Sequence, residues 1–204
     1  NNKDTIGFVG APWTLLLYML NRKSPKGGNF NVFQKDKYVH DIMVKLDEFL
    51  KIHIEAQIKS GASIIQIFDS WAGLLPEKDL EYFVYKPIKS LVDFIRQKES
   101  ISICFPRNIN NYKKFVKNVN PDVVSIDYNI DPSTIRETID ITVQGGLDPK
   151  ILLQNKDIVR NEVTKYLKTF DKKRYIFNLG HGVLPDTSPD MVKYLVDVVR
   201  SFNG

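Results

Sequence analysis

The chain has 204 residues, of which 43% are hydrophobic, with one cysteine and a formal net charge of +5. A single cysteine excludes an internal disulfide and any multi-cysteine metal site. No run approaches the roughly 18 apolar residues of a membrane span, and the scattered lysines, with only short clusters such as Lys172 to Arg174, carry no aromatic-and-basic nucleic-acid motif.

The first segment, Thr5 to Gly10 (TIGFVG), reads as a strand, and an apolar helix-like stretch from Ala11 to Met19 follows it. The opening residues are not a signal peptide. With no initiator Met and a strand almost at its start, the chain reads as a piece of a longer protein. Asn21 to Asn31 is polar, rich in Gly and Pro, and loop-like. From Phe33 to Ser60, Val39, Ile42, Leu46, Phe49, Leu50, Ile54 and Ile58 recur at helical spacing, and Gly61 ends the segment. Ser63 to Ser70 (SIIQIFDS) is the second strand, and Leu80 to Ile95 carries another helical stripe. Strands are expected at Ile101 to Phe105, Asp122 to Tyr128, Asp140 to Gly146 and Tyr175 to Gly180. Three later helices are expected to open on a cap and a proline: Asp131-Pro132, Asp148-Pro149 and Ser188-Pro189. The last should bury Met191, Tyr194, Leu195, Val198 and Phe202.

Six strand-helix units with strands apolar on both faces predict an α/β fold with parallel strands. An open nucleotide-binding sheet would show Gly-x-Gly-x-x-Gly at its first turn, and GFVGAPW does not fit. A (β/α)8 TIM-type barrel lacking its first units fits the strand count, with residues 1–204 forming one domain. Such barrels place chemistry at the C-terminal strand ends. Here those ends read GAPWTLLLYM, FDSWAG, CFPRN, DYN, QGGLDP and NLGHGVLPDT.

The segments GFVGAPWTLLLYM, IIQIFDSWAG, QGGLDP and FNLGHGVLPDTSPDMV resemble, in order and spacing, the signature segments of the uroporphyrinogen decarboxylase family. The resemblance runs from about Gly7 to Phe202. It implies a (β/α)8 barrel enzyme of tetrapyrrole biosynthesis, a carboxy-lyase that converts the four acetate side chains of uroporphyrinogen III to the methyl groups of coproporphyrinogen III. It also implies no metal, no organic cofactor, a cytoplasmic location and a homodimer. The same resemblance makes Tyr18 and His181 catalytic-site residues, and Tyr18, Phe68, Ser70 and His181 substrate contacts. Each has a plainer reading. Tyr18 could be a core tyrosine, Ser70 a serine capping a turn, and His181 a structural histidine. Phe68 and Ser70, two residues apart, point the same way along an extended strand, whereas Asp69 points the other way. Trp13, Trp71 and Ala72 read as packing, and Asp127 and Asp186 as capping groups. Gly180 and Gly182 suggest unusual backbone angles or close approach.

The chain departs from the family pattern at Gly146, where Asn is usual, at Tyr128, where Trp is common, and in the longer, more basic NRKSPKGG. The family's arginine clamp and central aspartate belong to an upstream part that this sequence does not contain. A fragment without them is expected to be inactive. The nearest rival is a zinc-dependent methyltransferase on the same barrel, which carries His-x-Cys at the third strand here and another Cys near the last. This chain has Ser102 and Cys104 at the first pair and His181 at the other position, an incomplete zinc set. The third alternative is a non-catalytic barrel that binds anions.

Overall fold

The computed structural model describes residues 3–22, 25, 36–170 and 174–202. They form two compact units, Asn1–Asp122 and Val123–Gly204. The fold is α/β: parallel strands in sequence order alternate with helices, the pattern of a partial (β/α)8 barrel.

In the first unit, β1 (Ile6–Gly10), β2 (Ile64–Asp69) and β3 (Ile101–Pro106) pair in parallel. Gly10, Phe68 and Phe105 stand in one cross-strand row. α1 (Pro12–Asn21) and α2 (Lys37–Lys59) connect β1 to β2. Alternation along the strands turns Val9, Ile65, Ile67, Asp69 and Cys104 toward one side, where all are buried. The opposite side carries Phe8, Phe68 and Phe105, whose rings meet edge to face with centroids 6.1 and 6.0 Å apart.

Of the expected loop 21–31, only residues 21, 22 and 25 are described. Asn21 still belongs to α1, and Arg22 closes that helix in the left-handed region. α2 starts at Lys37, where the Asp36 side chain accepts the Val39 N–H and caps the helix; residues 33–35 of the expected segment lie outside the described residues. The expected stripe holds at Val39, Leu50 and Ile54, but Phe49 is 71% exposed.

The helix expected over Leu80 to Ile95 is longer and interrupted. α3 (Glu77–Leu80) runs into a π-helical turn, Glu81–Tyr85, and then into α4 (Lys86–Gln97). The Lys86 N–H bonds the carbonyl of Glu81, five residues back. Pro87 follows immediately. Its missing N–H and its ring both oppose ordinary helix geometry on the turn before it, and widening by one residue accommodates both. α5 (Tyr112–Val119) follows β3, capped by Asn111.

In the second unit, β4 (Val123–Ile126), β5 (Thr142–Gly145) and β6 (Tyr175–Ile176) are parallel. α6 (Pro132–Thr138) starts at the expected Asp131-Pro132 cap, with Asp131 accepting from Ser133. Asp148-Pro149 opens a 3-10 turn, Pro149–Leu153, and not an α-helix. α7 (Lys156–Thr169) begins after its own cap, Asn155, which accepts from Ile158. α8 (Pro189–Ser201) starts at Pro189 as expected, yet Ser188 makes no side-chain cap bond. α8 buries Leu195 and Val198, while Met191, Tyr194 and Phe202 are only half-buried.

The last strand is shorter than its apolar run. After Ile176 the chain leaves the ladder, returning only for a bridge between Leu147 and Leu179. At the end of β5, Gly145 and Gly146 have φ of 84° and 100°, where glycine is favoured. Their carbonyls accept from the Tyr175 and Tyr166 hydroxyls, each at 2.7 Å. The departure at Gly146 is therefore housed by backbone geometry. Among the described residues no helix is long and apolar enough to cross a membrane.

Candidate active site

Three of the expected site residues lie in the first unit, Tyr18 on α1 and Phe68 and Ser70 at the end of β2, and His181 lies in the second. Tyr18 lies on α1 with its side chain outward, 39% exposed, so it is not a core tyrosine. Phe68 is half-buried near the end of β2, in the row of phenylalanine rings, and Ser70 follows directly after the strand.

Trp71 links these residues. Its indole Nε1 donates to the Tyr18 hydroxyl oxygen at 2.9 Å. Its carbonyl accepts from Trp13 Nε1 at 3.0 Å, and its N–H donates to Thr14 Oγ1 at 3.3 Å. Thr14 and Tyr18 are four residues apart on α1, hence on one helix face, and both meet the turn after β2. Trp13 is fully buried and Ala72 is too, as expected of packing residues. Trp71 is more than packing, and the sequence carried no sign of it except its place beside Ser70.

Asp69 does face away from Phe68, toward α1. It is fully buried and accepts from Thr14 Oγ1 at 2.6 Å through Oδ1, while Oδ2 has no partner. Burial pushes its carboxyl up to about 7, against the opposing hydrogen bonds from Thr14 and Trp71. A carboxyl with one bonded oxygen in a dry setting holds its proton more tightly than an exposed one. At the end of β3, the Arg107 N–H donates to the Asp69 carbonyl at 3.1 Å. Arg107 Nε is buried with no hydrogen-bond partner. This arginine stands in the strand-end segment CFPRN, where no local pattern singles it out.

The rival zinc positions have other occupants. Ser102 Oγ donates to Asp122 at 2.6 Å and accepts from the Asp122 N–H at 3.1 Å. Cys104 is buried, and desolvation pushes its thiol well above the ordinary range. Among the described residues no group of three or more His, Cys, Asp or Glu stands where it could hold a metal ion.

In the second unit, His181 is exposed after the Leu179 bridge, and its Nδ1 accepts the Gly182 N–H at 2.6 Å. That bond makes Nδ1 an acceptor, so in the neutral ring the hydrogen sits on Nε2. Neither neighbouring glycine has a positive φ. Gly180 is needed for close approach within the fold, since a Cβ there would lie 2.6 Å from the Tyr128 nitrogen. Nothing lies within 4 Å of a Cβ at Gly182. Asp127 is buried and caps its turn by accepting the Asn129 N–H at 2.8 Å, whereas Asp186 is exposed. A separate groove of about 320 Å³ is lined by Met19, Tyr38, Ile42, Lys45, Leu46 and Phe49 on α1 and α2, and includes none of the expected site residues.

The family model described as uroporphyrinogen decarboxylase (URO-D) matches residues 1–202. The uroporphyrinogen decarboxylase of Rickettsia bellii is 41% identical over 206 residues, covering 97% of this chain and 60% of that protein. The one from Rickettsia felis is 38% identical over 208 residues, covering 97% and 59%. The chain thus spans about 60% of the length of these relatives. Among solved structures, a B12-independent methionine synthase from Shewanella sp. W3-18-1 is similar at a TM-score of 0.63 and 14% identity, over 98% of this chain and 61% of that one. A dihydropteroate synthase from Anaplasma phagocytophilum is similar at 0.55 and 14%, over 94% and 72%. At such identity the likeness is one of fold.

Proposed function

This chain belongs to the uroporphyrinogen decarboxylase family, and from that premise we propose that it acts as part of a carboxy-lyase that converts uroporphyrinogen III to coproporphyrinogen III. The observation that carries the proposal is the family match over residues 1–202. The strand-end geometry suits the reaction. Loss of carbon dioxide from an acetate side chain leaves an electron pair that needs an acceptor. A pyrrole protonated on carbon accepts it, the exocyclic carbon then takes a proton to become a methyl group, and the ring proton is lost. The substrate supplies its own electron sink, so no metal or organic cofactor is required. The protein has to orient the ring, compensate its carboxylates and manage protons.

In this reading the Tyr18 hydroxyl donates to the carboxylate that organises the pyrrole N–H groups. Phe68 forms an apolar wall, Ser70 bonds a substrate carboxylate, and the Arg107 guanidinium adds positive charge at the end of β3. His181 binds a propionate through Nε2–H rather than delivering the catalytic proton. The same proposal includes one barrel domain, a homodimer and a cytoplasmic location.

The test is anaerobic turnover of uroporphyrinogen III by the full-length protein. Coproporphyrinogen and carbon dioxide are expected. Zinc-dependent methyl transfer without carbon dioxide release would replace this reading with the methyltransferase one. His181→Asn should raise KM about tenfold, the loss of one charge-assisted bond, at nearly unchanged kcat. A collapse of kcat at unchanged KM would instead make His181 the proton donor.

A further inference from the structure

We infer that Trp71 is a positioning residue for Tyr18, one that turns the tyrosine hydroxyl into an oriented donor for the carboxylate that organises the pyrrole N–H groups. The inference rests on the reading of the site above. An indole N–H can donate and cannot accept. The 2.9 Å contact between Trp71 Nε1 and the Tyr18 oxygen therefore has only one polarity: the phenol accepts. A phenol hydrogen prefers the ring plane, which leaves it two orientations. With Trp71 on one side, the hydrogen is driven to the other. The oxygen that accepts one bond also becomes a better donor through the second. The hydroxyl is thus oriented before substrate arrives, and no reorganisation is required when it binds.

The surroundings hold this arrangement in place. Trp71 is tied to α1 at three atoms: its N–H to Thr14, its carbonyl to Trp13 and its indole to Tyr18. Thr14 in turn is anchored on buried Asp69. Two residues 53 positions apart therefore share one frame, built from the first turn of the same helix that bears Tyr18. Ser70 lies between Asp69 and Trp71 in sequence, so the frame also sets the backbone of that residue.

The test is a double-mutant cycle in the full-length protein, read as kcat/KM for uroporphyrinogen. Trp71→Phe keeps the aromatic bulk and deletes the N–H. It should lower kcat/KM about fivefold when Tyr18 is present, and have no further effect in a Tyr18→Phe background. Because Trp71→Phe could disturb the fold, replacement of Trp71 by benzothienylalanine, which swaps the N–H for sulfur at nearly constant shape, should reproduce the loss with an unchanged melting temperature. Equal losses in both backgrounds, or wild-type activity with benzothienylalanine, would overturn the positioning role. Wild-type activity of Trp71→Phe beside an impaired Tyr18→Phe would overturn it alone. An unimpaired Tyr18→Phe would remove the site reading and this inference with it.

Discussion

Asp69 shows how burial alone sets the chemistry of a side chain. Its carboxyl is fully enclosed, with one oxygen on Thr14 and the other unpartnered. The folded state holds its proton up to about pH 7, whereas the ordinary value for an aspartate is 3.8. The raised value means that the folded chain binds more protons between those limits. The stability contributed by this group is therefore complete below about pH 4 and is lost as pH rises through 7, by on the order of 4 kcal/mol over the whole window. Asp69→Asn keeps the acceptor for Thr14 and cannot ionise. Its urea midpoint should fall less between pH 5 and pH 8 than that of the unaltered protein. Parallel pH dependences in the two would show that Asp69 titrates normally. Asp69 was legible in the sequence as a residue facing away from Phe68, but its raised carboxyl was not, because desolvation depends on α1 covering it.

At the scale of elements, local signals did most of the work. Asp36, Asn111, Asp131 and Asn155 each accept a backbone N–H at the start of a helix. Ser188 has the same sequence context as Asp131, a polar residue before proline, yet makes no such bond. Asn155→Ala should then cost about 1 kcal/mol, whereas Ser188→Ala should fall within about 0.5 kcal/mol of zero. Urea denaturation measures both, and equal losses would count against the assignment of caps. The π turn at Glu81–Tyr85 was signalled by Pro87, but periodicity reads such a turn as ordinary helix, since one inserted residue shifts the apolar stripe by only part of a turn. The two-residue β6 shows the reverse failure. Its apolar run, Tyr175 to Leu179, is half-buried to exposed, and the backbone leaves the ladder after Ile176.

For the molecule as a whole, β1 is the informative strand. It pairs only with β2 among the described residues, and Ile6 and Phe8 on one face are 48% and 66% exposed. Closed barrels remove such edges and cover such faces. The 204-residue chain expressed by itself should bind anilinonaphthalenesulfonate and release no carbon dioxide from uroporphyrinogen. A protein spanning the full length of the relatives should do the opposite in both assays. A soluble, dye-silent 204-residue chain would mean that the exposed face needs no cover.

The sequence by itself determined the order of the six strands, the parallel α/β class and the helix starts at Pro132 and Pro189. Each of these rests on residues near one another in the chain: alternating apolar runs, caps and prolines. It also marked the segments after the strands that carry Tyr18, Phe68, Ser70 and His181. Only the tertiary structure decided what those side chains touch. The bonds from Trp71 to Tyr18 and from Thr14 to Asp69 join residues more than 50 positions apart. Their geometry depends on how α1 seats against the end of β2, and no local pattern encodes that contact.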